Sequence, residues 1–495
     1  MKLVYNIMNS QRNSANSRLG MSSVTNGSHY HLQPHQGHHN QRLDQQPRPA
    51  SPQRPSASSS SLIASSRTNN FSNNLEGRYR NPKRKNFFSQ RKWNIDEAGQ
   101  CSTRNNIDLN SNNSTAITVA TYNILSQNLL VRHPELYEGC EEYNLNWVNR
   151  RKLIFEEIDR YQPDILCLQE VHHMHYEMCI NSQMIQRGFR GIYMKRPGVD
   201  NEDGCAIYYK ECIFQMVDYQ NINYQVYDGS CETRSNVGQI VVLRNHTVKN
   251  KQNSYICVAN THFLYNPNRG DVKLTQASIM LAELEKYANK YRIPFQGSWI
   301  KCPIIFCGDF NLLPNSDLYL FLCRGTLQID GLYSHAISGL SKSRYSQDLL
   351  ENCTFLPSQI SKKCQFITKQ NKYNANEDNP PNILSHNLSL TSVYPHVVKV
   401  YDRTNENSSF KLEDEFTSSH LNESPKNLDY MLYSVIDKEC SFHNDRLLTN
   451  VKQFGPLKLL GWFQAPTAAD DIGPLPNDFN GSDHVMLVAR FLHTT

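Results

Sequence analysis

The chain has 495 residues, 39% of them hydrophobic, with a formal charge of +5 at pH 7. Its fourteen cysteines are scattered without a CxxC pair, and no apolar run reaches the length of a membrane helix. These features exclude a disulfide-stapled scaffold, a zinc-knuckle module and a helical membrane protein, and they point to a reduced compartment. The charge is unevenly placed: residues 1–115 hold fifteen Lys and Arg against five Asp and Glu, and the remaining 380 hold 36 against 41. The first segment, rich in Ser, Asn, Gln, His, Pro and Arg, has too few aliphatics to offset its conformational entropy and reads as a disordered basic tail. It lacks the apolar core of a secretory signal. Arg12, Arg18 and Arg42 among many Ser and Asn form only a sparse match to a mitochondrial presequence, so the cytoplasm, with the nucleus as a second location, is the expected compartment.

Regular structure begins near Ile117. ITVATYNIL (117–125) reads as a strand, residues 145–161 carry apolar side chains at helical spacing, and DILCLQE (164–170) is a short apolar strand set off by Pro163. Strand-like runs follow at 204–209, 238–243 and 255–263. Residues 272–291 then predict a long helix with Leu274, Ala277, Leu281, Leu284 and Ala288 near one face. PIIFCGDFN (303–311) is a strand closing in polar residues, and DLYLFL after Ser316 a short helix. The stretch from about 341 to 385 is Lys-, Gln-, Asn- and Ser-rich and predicts a surface insertion. LDYMLYS (428–434) and HVMLVARF (484–491) complete the set. Strands mixed with a few helices, without strict alternation, predict an α/β fold built as a two-sheet β-sandwich flanked by helices. Residues 116–495 are expected to form this one domain.

Polar clusters close five of these apolar runs: YNIL at Asn123, LCLQE at Glu170, ANTH at His262, GDFN at Asp309 and Asn311, and SDH at Asp483 and His484. Together they hold what metal-assisted phosphoester hydrolysis requires, namely acidic oxygens for a hard cation, amides for phosphate, and a histidine with a carboxylate partner. Glu170 ends a buried strand, where an unpaired carboxylate is costly, and suits Mg²⁺, which takes one or two carboxylates and keeps several waters. Asp309 and Asn311, two apart at a strand end, share a face. His484 as an imidazolium can stabilise charge on a pentacovalent phosphate. Asp429 is the better orienter for that ring, and Asp483, adjacent in sequence, is a candidate second metal contact. Asn236 in RSNVG, with Tyr265 and Arg269 in LYNPNRGD, carries groups suited to a nucleotide beyond the scissile bond; the alternative is a loop held by its own turn chemistry, with Arg269 bridging to Asp271. A metal site at His172, His173 and His175 lacks acidic or thiol companions. The stretch 78–93 mixes seven basic residues with aromatics and suits either nuclear targeting, RNA-backbone contact or a solvated linker.

The five strings, with LDY at Asp429, resemble the endonuclease/exonuclease/phosphatase superfamily and its DNase-like four-layer fold. YNILSQNLL, LYNPNRGDVKLTQ, GDFNLLPNS and LDYMLYS resemble its angel branch, related to the carbon-catabolite-repression and nocturnin type of poly(A) nuclease. An inositol phosphatase would show an aromatic-Arg pair after GDxN and a WCDR-type string, which Leu312-Leu313-Pro314 and Leu428-Asp429-Tyr430 replace. The resemblance implies Mg²⁺ (or Mn²⁺) near Glu170 and Asn123, Asp309 preparing the nucleophile, and Asn311 and His262 holding the scissile phosphate. It implies RNA 3′ ends as substrate, by poly(A) trimming or by hydrolysis of a terminal 2′,3′-cyclic phosphate, and mRNA-decay or translation proteins as partners. A rival from another class is a non-catalytic RNA- or translation-complex adaptor on the same fold. The sequence leaves the oligomeric state and the number of metals open.

Overall fold

The computed structural model describes residues 87–95, 114–224, 234–248, 254–329, 331–341, 383–394, 418–419, 425–443, 446–467 and 470–494, and the short strands at 365–367, 398–400 and 409–411. Most of the expected tail and most of the expected 341–385 insertion lie outside the described residues.

Thirteen strands and three helices position the site. The strands are β1 (Trp93–Ile95), β2 (Ser114–Asn123), β3 (Ile165–Gln169), β4 (Phe189–Lys195), β5 (Gly204–Lys210), β6 (Phe214–Asn223), β7 (Val237–Asn245), β8 (Tyr255–His262), β9 (Ile304–Asp309), β10 (Leu390–Ser392), β11 (Asp429–Ser434), β12 (Leu457–Phe463) and β13 (Leu487–Thr494). The helices are α1 (Trp147–Tyr161), α2 (Gly270–Lys290) and α3 (Asp317–Arg324). One sheet runs β1-β12-β13-β2-β3-β5-β4 and the other β10-β11-β9-β8-β7-β6. Each sheet has one parallel step at its centre, β2 beside β3 and β8 beside β9. A parallel step needs a crossover, and α1 and α2 supply the two.

The alternation of side chains along each strand sets the layers. In β3, Ile165 and Cys167 point between the sheets and meet Val258, Ile305 and Cys307. Leu166 and Leu168 point the other way and pack with Ile154, Phe155 and Ile158 of α1. In the second sheet Ala259, Ile304 and Phe306 face Leu274, Leu281 and Leu284 of α2. The result is helix, sheet, sheet, helix, as the patterning predicts. Asn146 caps α1 by accepting from Val148 N at 2.9 Å, and the helix ends at Gln162 in the left-handed region, just before Pro163. Ser316 caps α3, and Gly325 with φ 84° ends it.

One boundary differs from the sequence reading. Residues 87–95, inside the expected tail, belong to the folded unit. Phe88 is buried with Ile472, Leu475 and Val485, and β1 pairs with β12. Arg91, drawn from the basic stretch, is buried, donating to the carbonyls of Gln464 and Met486 and pairing with Glu157 at 3.5 Å. Composition hid this because two aromatics and one guanidinium are enough to add an edge strand. Among the described residues no helix is long and apolar enough to cross a membrane.

Candidate active site

The polar strand ends from both sheets meet at one end of the sandwich. Parallel pairing sets Asn123 of β2 opposite Gln169 of β3, so Glu170 follows directly beside it. In the second sheet Asp309 is opposite His262 on one side and Asp429 on the other. Registers fixed by buried apolar faces thus bring residues up to 361 positions apart (Asn123 to His484) into one cluster. Asn260 joins the sheets beneath them, donating to the carbonyls of Leu168 and Ala206 and accepting from Gln169 at 2.7 Å.

The cluster centres on Asp309 Oδ2. Asn123 Nδ2 donates to it at 3.1 Å, and the Nε2 atoms of His262 and His484 lie 3.6 and 3.8 Å away. Asn123 Nδ2 also donates to Glu170 Oε1 at 3.0 Å, while the Ser126 amide donates to Glu170 Oε2 at 3.0 Å. Asp309 Oδ1 accepts from the Asn311 amide at 3.0 Å, and Asn311 Nδ2 gives one hydrogen to Phe263 O at 3.1 Å. His484 Nδ1 contacts Asp429 Oδ2 at 2.7 Å. Asp483 Oδ1 lies 4.0 Å from His484 Nε2, and its other oxygen accepts from Tyr137 OH at 3.1 Å.

Three non-glycine residues in this cluster hold the left-handed backbone region: Leu125 (φ 55°), Glu170 (φ 54°) and Asn311 (φ 49°). Such conformations cost energy and persist where surrounding contacts over-determine them, as at functional sites. Gly308 serves the same purpose. Its φ is 152°, and a Cβ there would stand 2.1 Å from Thr261 O, so only glycine lets β9 approach β8 closely enough to place Asp309 beside His262.

Electrostatics follow from burial. Burial, reinforced by Asp429 and Glu170, pushes the Asp309 carboxyl up to about 8. Burial lowers His262 to about 4, so its ring is neutral at pH 7. His484 behaves in the opposite way: burial alone would discharge it, but Asp429, Asp483 and Asp309 together outweigh that and hold it well above the ordinary imidazole range. Burial, with Glu170, also raises Asp483. The cluster therefore packs four carboxyl groups around one imidazolium, and burial together with their mutual repulsion is what raises Asp309 and Asp483.

That repulsion is what a divalent cation would relieve. Glu170, His262 and Asp309 present ligand atoms within 4.8 Å of one another, as do Asp309, Asp429 and His484. His484 and Asp429 already engage each other, which leaves the Glu170–Asp309 side as the better fit to a hard cation. Asn123 directs Nδ2 at both carboxylates and its Oδ1 accepts from Leu125 N at 3.0 Å, so as placed it bridges the carboxylates and offers the cation no oxygen. Asp483, the expected second metal contact, stands beside His484 with Oδ1 4.0 Å from Nε2 of that ring.

The softer expectations divide. Tyr265 is 60% exposed in the loop before α2 and free to stack. Arg269 Nη2 pairs with Asp271 Oδ2 at 2.9 Å, and Nε reaches the same carboxylate, which is the turn-chemistry alternative. Asn236 is buried, donating one hydrogen to His262 O at 3.1 Å and accepting from Gln276 Nε2 at 3.2 Å, so it anchors the end of β8. The three histidines after Glu170 are occupied elsewhere: His175 stacks on Trp147 with centroids 4.1 Å apart, His173 on Tyr193, and His172 contacts Glu202.

Two buried cations escape the sequence reading. Arg150 of α1 donates to Gly481 O at 2.8 Å, Ile124 O at 2.6 Å and Leu125 O at 2.5 Å, tying the loop after Asn123 to the loop before Asp483. Lys273 of α2 donates to Asn311 O at 2.6 Å. The available signal was a charged residue on the buried stripe of an amphipathic helix: Arg150 follows Trp147 and precedes Ile154 at helical spacing.

Comparison with known proteins agrees with this geometry. The Endonuclease/Exonuclease/phosphatase family profile matches residues 120–484. Human protein angel homolog 2 is 34% identical over 402 residues, covering 77% of this chain and 70% of the relative. Carbon catabolite repressor protein 4 homolog 3 of Arabidopsis thaliana is 30% identical over 375 residues, covering 76% of this chain and 75% of the relative. The crystal structure of ANGEL2, a 2′,3′-cyclic phosphatase, in complex with adenosine-2′,3′-vanadate superposes with a TM-score of 0.62 at 32% identity, covering 82% of this chain and 99% of that one. With the profile spanning most of the chain and the strand-end cluster in place, this chain belongs to the endonuclease/exonuclease/phosphatase family, alongside the angel proteins.

Proposed function

We propose that the chain is a Mg²⁺-dependent phosphoester hydrolase acting on RNA 3′ ends, and that a terminal 2′,3′-cyclic phosphate is its substrate. The observation that carries this reading is the convergence of Asn123, His262 and His484 on one oxygen of Asp309, with Glu170 joined through Asn123. The likeness to ANGEL2 bound to a 2′,3′-vanadate supports the cyclic ester over other phosphoesters. The Arabidopsis relative's kinship supports a second reading, trimming of a free 3′-OH end by the same residues.

In this mechanism Glu170 and Asp309 would hold the cation, while Asn123 joins their carboxylates through Nδ2 and turns its Oδ1 to Leu125 N. When bound, the cation draws electron density from a phosphate oxygen and so lowers the barrier to attack. Asp309 accepts the proton of the attacking water as the water oxygen bonds to phosphorus. The bond from phosphorus to a ribose oxygen breaks, that oxygen takes a proton from solvent water, and Asp309 returns the proton it accepted to solvent, so the step consumes one water. His484 donates Nε2–H to a phosphate oxygen as charge builds there, while Asp429 fixes its tautomer from Nδ1. Neutral His262 and the free hydrogen of the Asn311 amide complete the phosphate cradle.

The test is ³¹P NMR of adenosine 2′,3′-cyclic monophosphate incubated with enzyme and Mg²⁺. Wild type is expected to convert the cyclic phosphate signal to ring-opened products, and Asp309→Asn, correctly folded, to leave it unchanged. Equal turnover by both proteins refutes the assignment.

A further inference from the structure

Resting on the reading above, we propose that Lys273 is a positioning residue, holding the phosphate-binding amide of Asn311 in place through the Asn311 main chain. Lys273 lies in the first turn of α2, and its side chain is completely buried. A lysine so placed needs a reason, since desolvating an ammonium is costly and a methionine of similar length would fill the same space. Its amine donates to Asn311 O at 2.6 Å. Asp309 is the charge that favours its ammonium form, and burial brings it down to about 7.

The turn that Lys273 reaches is the one the chemistry requires. Asn311 has φ 49°, a region that asparagine tolerates only at some cost. Three contacts hold it there: its amide on Asp309 Oδ1, its side chain on Phe263 O, and its carbonyl on Lys273. The first two come from the strands that carry the catalytic groups, and Lys273 is the contact from the helical layer. Phe310 and Leu312 on either side are fully buried, so without Lys273 the Asn311 carbonyl is a buried acceptor that has lost its partner. That cost favours a turn displaced until the carbonyl finds another donor, and the Asn311 side chain is displaced with it. The same helix steadies the neighbouring wall, because Gln276 donates to Asn236 and accepts from Leu264 N at 2.9 Å.

The experiment is a double-mutant cycle of Lys273→Met and Asn311→Ala, read by kcat and KM on the cyclic phosphate, by thermal melting and by amide hydrogen exchange. Lys273→Met is expected to lower kcat about 10- to 100-fold, since displacing a contact group by about 1 Å costs that much. KM should change less than threefold and the melting temperature should not fall. The double variant should be no slower than Asn311→Ala alone, because both changes remove one contact. Exchange at the Asn311 amide should quicken in Lys273→Met while the amides of α2 stay protected. Additive losses, a rise in KM alone, or unchanged exchange at Asn311 each overturn the proposal. The exchange readout decides it even when wild type proves inert on the cyclic phosphate, an outcome that removes the functional reading instead. Should Lys273→Met fail to fold, Lys273→Gln, which keeps an N–H donor on a shorter chain, should fold and show the same selective quickening; protection there refutes the role.

Discussion

Replacing Asp429 by asparagine isolates the partner that keeps His484 charged. The two side chains meet at 2.7 Å, both buried, and asparagine preserves the shape of the carboxylate while removing its charge. Opposite charges about 4 Å apart attract by about 4 kcal/mol at an effective dielectric near 20, so the substitution removes a large part of what offsets the burial of the ring. Asp309 and Asp483, at 3.8 and 4.0 Å from the other ring nitrogen, remain. His484 should therefore give up its proton at lower pH than in wild type. Loss of a charged donor to a developing phosphate anion costs about 10²- to 10³-fold in turnover. The assay is kcat against pH for both proteins, with ¹⁵N NMR of the His484 ring. The variant should be slowed by that factor at pH 7.5, its alkaline limb displaced toward acid, and its ring neutral where the wild-type ring is still charged. A variant within threefold of wild type, with an unmoved alkaline limb, refutes the pairing as the source of the imidazolium.

Glu170→Gln should weaken Mg²⁺ binding by at least tenfold in calorimetry and abolish turnover while the fold persists; unchanged affinity would place the cation elsewhere. Mg²⁺ should raise the melting temperature of wild type through linkage, and EDTA should reverse both this and activity. Gly308→Ala forces a Cβ to within 2.1 Å of Thr261 O and should cost about 1–3 kcal/mol, read as a lower urea midpoint; an equal midpoint would mean that the close approach of β9 to β8 is not real. His386 is buried, its Nε2 donating to Phe321 O at 3.0 Å, and burial lowers it to about 4. An unfolded histidine takes its proton near 6.5, so between 6.5 and 4 the unfolded state binds more protons; the contribution is complete above pH 6.5 and is lost as pH falls toward 4. That loss amounts to about 3 kcal/mol, and His386→Phe should flatten the pH dependence of the urea midpoint over this window.

The sequence is most legible where local pattern and burial agree. The central strands β3, β8 and β9 are buried on both faces and read as near-continuous apolar runs, each closing in a polar residue that the registers bring into the Asp309 cluster. The edge strands are less legible. FRGIYMK (β4) and FQMVDYQNIN (β6) each have a face in water, so their polar residues read as loop. Roles that depend on a distant partner are hidden as well. Arg269 carries the charge for a phosphate contact, yet Asp271 two residues away captures it. Asn236 reads as a ligand amide, and its second role, tying Gln276 to the His262 carbonyl, depends on residues distant in the chain. Arg150 and Lys273 could be suspected only as charges on an apolar stripe, because their partners are carbonyl oxygens, which every residue type carries.

Product analysis separates the two RNA-end reactions, using two end-labelled RNAs, one ending in a 2′,3′-cyclic phosphate and one in a run of adenosines with a free 3′-OH, each with Mg²⁺ and with wild type or Asp309→Ala. Wild type is expected to open the cyclic end at unchanged RNA length and to leave the adenosine run intact, and the variant to leave both RNAs unchanged. A ladder of shortened products from the adenosine run, with the cyclic end untouched, would contradict the cyclic-phosphate assignment.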